Sequence, residues 1–139
     1  MAFIPGGSEI INETEVYQFK IDHRNNTAIK SQWILSCNIE YDIACQSIHN
    51  KFNIDNRYFN VLSNNLILQV VGNSILKDRY REPLIICKFI KCQNIFHGYP
   101  ANHMMNQQDI PPDSVLVRMK SLNLLSDKDH KRISRGRPV

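Results

Sequence analysis

Four side chains in one stretch of the chain are of metal-ligating type: Cys87, Cys92, His97 and His103. Thiolate and imidazole are the donors of tetrahedral zinc sites, and here they follow the order C-x4-C-x4-H-x5-H. The spacing lacks the close C-x2-C or H-x3-H pair that brings two ligands together. Five positions along one strand also put Cys87 and Cys92 on opposite faces. The favoured reading is buried thiols and loop histidines, with no metal and no cofactor. The same histidines are the bases that a nucleophile would need, with Asp109 placed to orient one. No G-x-S-x-G elbow, no glycine-rich phosphate loop after a strand and no paired carboxylates accompany them. The chain is therefore read as a non-enzyme. A metal- or cysteine-dependent enzyme centred on His97 and His103 is the third-ranked function.

A second chemistry is charge. Residues 117–139 hold Arg118, Lys120, Lys128, Lys131, Arg132, Arg135 and Arg137 against only Asp127 and Asp129, in a chain whose net charge is +4. Such a localised field attracts anionic partners. Lys128, Lys131, Arg132 and Arg135 recur at steps of 3, 1 and 3, which lines them along one side of a helix, and Arg137 extends the patch. An acidic protein surface is the first-ranked partner and nucleic acid the second. A base-reading helix would need Asn, Gln or Arg at its start, where only Lys128 and His130 stand. The competing explanation is a solvated helix whose cations offset its macrodipole.

The third candidate is aromatic. Phe96, His97 and Tyr99 precede Pro100, and exposed aromatics on a stiffened loop are common contact anchors. The alternative is that Phe96 and Tyr99 tuck into the core.

These residues must be positioned by one domain, since 139 residues is an ordinary domain length. Hydrophobic content of 42% with 22% charge excludes a disordered chain. No apolar run nears the roughly 18 residues of a membrane span. The start, Met1-Ala-Phe-Ile-Pro-Gly-Gly, has no basic region and no apolar stretch of a signal peptide. A cytoplasmic location and reduced Cys37, Cys45, Cys87 and Cys92 are expected.

The expected order is a flexible lead-in (1–13), an α+β body (14–95), a long loop (96–111) and a basic helical end (112–139). Tyr17, Phe19 and Ile21 alternate with polar residues, which predicts a strand over 16–23. Residues 24–26 read as a turn. Residues 28–37 fit either a helix or a strand. Apolar steps of 3 and 4 predict a helix over 39–52. Residues 58–62 and 66–71 form a hairpin or two short strands, 75–80 a further turn or strand, and 84–90 a central strand in which Lys88 needs a partner. Gly98 permits a positive φ, and Pro100 holds Tyr99 extended. A helix begins at Pro112 or Asp113. The last helix has Ser126 as N-cap, Asp129 three residues on, and Gly136 as its C′ residue. The fold class is α+β: a small, mostly antiparallel or mixed sheet, one covering helix, and two short C-terminal helices closing an end. The function expected is a non-enzymatic cytosolic protein-interaction module, an adaptor, inhibitor or subunit. It would use the basic helix and the aromatic loop.

Overall fold

The computed structural model describes residues 3–26, 30–75 and 81–139, without the side chains of Ile75 and Arg81. Along the chain run β1 (Ser8–Ile10), β2 (Val16–Gln18), a 3-10 turn (Ile21–His23), β3 (Gln32–Trp33), α1 (Cys37–His49), β4 (Asn53–Ile54) and β5 (Arg57–Asn60). Then come β6 (Ser63–Asn64), β7 (Ile67–Leu68), β8 (Gly72–Ile75), β9 (Arg81–Leu84), β10 (Ile86–Cys92) and β11 (Ile95–Ala101). A second 3-10 turn (Gln107–Asp109), α2 (Asp113–Ser121) and α3 (Asp127–Ser134) finish the chain.

The fold is α+β with a mixed sheet. Six strands lie in the order β1-β2-β11-β10-β5-β4, and β3-β8-β9 and β6-β7 form smaller sheets. Every pairing in the main sheet is antiparallel except β2 with β11, which is parallel. Alternation along β10 sets the two faces. Cys87 and Phe89 join Tyr17, Phe96, Ile43 and Ala44 beneath α1. Ile86 joins Phe59, Ala101, Val115, Leu116 and Met119 beneath α2. The two C-terminal helices thus cover the second face of the sheet rather than close an end. Burial on both sides explains why β10 is apolar nearly throughout. Among the described residues no helix is long and apolar enough to cross a membrane.

The expected 96–111 loop is corrected: its first part is β11, a central strand paired residue by residue with β10 from Cys92↔Ile95 to Ile86↔Ala101. Gly98 and Pro100 resemble loop punctuation but have other reasons here. Gly98 does not have a positive φ. A Cβ there would lie 2.3 Å from Phe89 Cδ1 and 2.8 Å from the Tyr17 hydroxyl, so only glycine lets the aromatic core close over the strand. Pro100 sits beyond Ile95 and Phe96, the residues that β2 pairs, where one edge of β11 has no ladder to break.

Other expectations shift as well. The lead-in carries β1, and Phe3 packs edge-to-face on Phe19 and Tyr41, so residues 3–13 belong to the fold. The strand over 16–23 ends at Gln18 and gives way to a 3-10 turn. The helix begins at Cys37, where Ser36 caps it by accepting from the Ile39 amide at 3.3 Å. Within 75–80, Ile75 ends β8 and the rest lies outside the described residues. The last helix has the expected caps: the Ser126 hydroxyl accepts from the Asp129 amide at 3.1 Å, and Gly136 has φ +67°.

Candidate functional site

The cations come together on α3. The helix is anchored by Ile133 and Leu125, which are buried against α2. An ion pair, Lys120–Asp127 at 3.0 Å, and a hydrogen bond from His130 Nε2 to Asp113 Oδ1 at 2.8 Å brace it. The Arg118 guanidinium donates to the Lys51 carbonyl. That leaves Lys128, Lys131, Arg132, Arg135 and Arg137, and these five line one hollow of about 230 Å³. Among the described residues none of the five side chains has a carboxylate partner. Helical spacing aligns the first four. The Gly136 turn brings round Arg137, whose amide donates to the Arg132 carbonyl at 2.8 Å. His103 secures this end, its Nε2–H donating to the Arg137 carbonyl at 2.8 Å.

The next two residues leave the hollow and enter an apolar groove. Pro138 and Val139 line it together with Leu66, Ile67, Val70 and Met104, and its volume is about 570 Å³. Ile67, at the tip of the β6–β7 hairpin, is 67% exposed. Glu82 and Asp129 are the acidic residues at its walls.

Phe96, His97 and Tyr99 do not form a projecting trio. Strand alternation sends Phe96 into the core at 1% exposure, against Tyr58, while His97 and Tyr99 point to the other face. There they line a polar cleft of about 450 Å³ with Lys20, His23, Ser74 and Asn102. Phe96 is thus corrected from a contact residue to a core residue, and Tyr99 is a half-buried wall residue with its hydroxyl engaged. That hydroxyl donates to Asp109 Oδ1 at 3.1 Å, and burial beside this carboxylate pushes the phenol far above its ordinary value.

Asp109 is the hub of the cleft floor. Its Oδ1 accepts from Lys88 Nζ at 3.1 Å as well as from Tyr99, and its Oδ2 accepts from the Asn102 amide at 3.0 Å and Asn106 Nδ2 at 3.3 Å. This is the partner Lys88 needs, completed by the Gln108 carbonyl at 2.8 Å. The Lys88 ammonium also lies 5.8 and 5.7 Å from the Phe59 and Tyr99 ring centres.

A second buried network, not foreseen from sequence, joins α1 to the sheet. Glu40 accepts from the Tyr17 hydroxyl and from Arg24 Nη2, the latter at 2.6 Å. Burial raises the Glu40 carboxyl, while those two donors pull it back down. Only an acidic residue on the inner side of a helical stripe could have signalled it.

The potential zinc ligands are dispersed. Cys87 is fully buried and its thiol pushed far up by burial. Cys92 is exposed at the β10 end, His97 faces the cleft, and His103 holds the Arg137 carbonyl. Among the described residues, no three His, Cys, Asp or Glu side chains group as metal ligands. No family model matches the chain, and no curated protein or solved structure shows significant similarity to it.

Proposed function

We propose that the protein is a protein-interaction module that docks an acidic, apolar-bearing segment of a partner on α3 and the adjoining groove. The observation that carries this reading is the juxtaposition of five cations, none with a carboxylate partner among the described residues, with an apolar groove that Pro138 and Val139 enter directly after Arg137. Contiguous exposed apolar surface marks a macromolecular contact, and Arg-rich hollows suit carboxylates by bidentate pairing. A nucleic acid would use the hollow but has no use for the groove. The hollow also lacks an aromatic on which a base could stack.

The test is photo-crosslinking from positions 67 and 135 in cells that make the protein natively. One protein should be captured from both positions, through a segment rich in Asp or Glu. Reversing Lys131, Arg132 and Arg135 to Glu should abolish that capture and shift stability by less than about 1 kcal/mol, because none of the three has a carboxylate partner among the described residues. Duplex DNA or RNA captured at 135, with nothing at 67, would replace this reading with the nucleic-acid one. Neutralising five phosphates would then weaken duplex binding about 500-fold between 50 and 200 mM salt, from a log–log slope near −0.9 per phosphate.

A further inference from the structure

The polar cleft on the His97 face of β11 is a separate site from the α3 surface. Its volume of about 450 Å³ is in the range of small-molecule sites. Two kinds of group line it. Lys20 and Lys30 offer ammonium donors, and among the described residues neither has a carboxylate partner. His23 and His97 offer ring nitrogens.

The state of His23 is set by its neighbours. Its Nδ1 lies 2.8 Å from the Ser31 carbonyl, which only accepts, so Nδ1 carries the hydrogen. Nε2 is then a bare acceptor with no protein partner among the described residues. The ring stacks on Tyr99 with centres 5.4 Å apart, which fixes its plane. His97 has no hydrogen-bond partner on either ring nitrogen among the described residues. Burial lowers both histidines below their ordinary value, and Lys20 and His23 lower His97 further, so both rings are neutral at pH 8. Asp109 faces the cleft already saturated by four donors. Asp22 also lines it and is engaged within the protein.

A ligand that satisfies these walls must accept from lysines and donate to a neutral imidazole. We propose that the cleft binds a phosphate group that retains a P–O–H. The hydroxyl donates to His23 Nε2 and the ionised oxygens accept from Lys20 and Lys30. The Asp22 carboxylate adds to the selection for a protonated group over a fully ionised one. Sulfate has the same shape and charge but no hydrogen to give at pH 8.

Two sources share this chemistry, inorganic phosphate and the phosphate of a monoester, and they separate by pH. Inorganic phosphate keeps one O–H at pH 8. A monoester, whose second ionisation falls near pH 6, keeps one only around or below that value. The experiment follows the Cε1–H resonances of the five histidines while the intact protein is titrated. At pH 8, inorganic phosphate should shift His23 and His97 saturably and leave His49, His103 and His130 in place. Sulfate should bind at least about tenfold more weakly, since the imidazole acceptor stays unsatisfied. Glycerol 2-phosphate that binds at pH 6 but not at pH 8 would identify the group as equally acceptable on an organic carrier. Lys20→Gln, a change at the rim that spares the core, should weaken phosphate about tenfold. His23→Phe should abolish the preference over sulfate while keeping the ring on Tyr99. The proposal fails if phosphate gives no saturable shift below about 10 mM, if sulfate binds as tightly, or if Lys20→Gln leaves the affinity unchanged.

Discussion

Asp109→Asn is the most informative single change in the fold. Each carboxylate oxygen accepts two donors: Lys88 and Tyr99 on Oδ1, the Asn102 amide and Asn106 on Oδ2. An amide has one oxygen. Whichever way it turns, its NH2 faces two donors, and two hydrogen bonds are lost. The Lys88 ammonium, 4% exposed, also loses its counter-charge. Removing one partner of a buried pair costs about 3–5 kcal/mol, against a total stability of about 5–15 kcal/mol for a domain. Melting should fall by roughly 10–20 °C, and the urea midpoint by about 2 M at a typical slope of 2 kcal/mol per molar. Lys88→Met alone should also destabilise. The double variant should cost less than the two singles together by at least about 1 kcal/mol, because the stranded charge is gone. Chemical denaturation of the four proteins measures this. A loss under about 1 kcal/mol for Asp109→Asn, or strict additivity in the cycle, would refute the assignment of Asp109 as the hub.

Two further outcomes follow from the geometry. Gly98→Ala should destabilise by about 2–3 kcal/mol through overpacking against Phe89 and Tyr17; an unchanged denaturation midpoint would mean that the strand is not packed as described. The second concerns pH: because burial holds His23 and His97 below the ordinary value of 6.5, the unfolded chain takes up protons that the folded state refuses. Their contribution is intact above pH 6.5 and is lost as pH falls below it towards the lowered folded values. Replacing both by Asn should flatten the difference in urea midpoint between pH 8 and pH 5 relative to the parent, and an unaltered slope would contradict the burial assigned to them.

What could be read from the sequence was what depends on near neighbours. The Ser126 cap and the Gly136 turn are short-range backbone devices, and both stand where the residue types place them. The presence of α1 and the need of Lys88 for a partner follow from local periodicity and from charge in an apolar strand. The helix nevertheless buries Cys37, Glu40, Ile43, Ala44 and Ser47 rather than the line through Tyr41, Cys45 and Ile48 that the apolar steps pick out. The strand through Phe96 and Tyr99 was illegible because glycine and proline usually punctuate loops. Here glycine answers to a ring on the next strand and proline to the stretch of edge past the β2 ladder. The cleft was half visible. His97 and Tyr99 stood out by type, but His23 and Lys20 reach them from a segment some 75 residues earlier in the chain, and no spacing rule reports such a meeting. Phe96 was misassigned by the same loss of alternation: one residue away from His97 in sequence is the opposite face in a strand.

The parallel contact between β2 and β11 carries a consequence for the order in which this molecule is built. Val16 and Tyr17 are synthesised well ahead of their parallel ladder partners, Ile95 and Phe96. At roughly 5–20 residues per second, a nascent chain waits several seconds or more before that partner exists. Throughout that interval Tyr17 and Phe19, fully buried at the end, have no sheet to join. β1 and β2 can pair with each other early, but two three-residue strands are not stable alone. The β1–β2 ribbon can therefore take its place beside β11 only after β5, β10 and β11 have all been made. This strand order leaves the segment that holds Tyr17 and Phe19 uncovered until β11 has been made, which makes that segment an aggregation hazard of the growing chain.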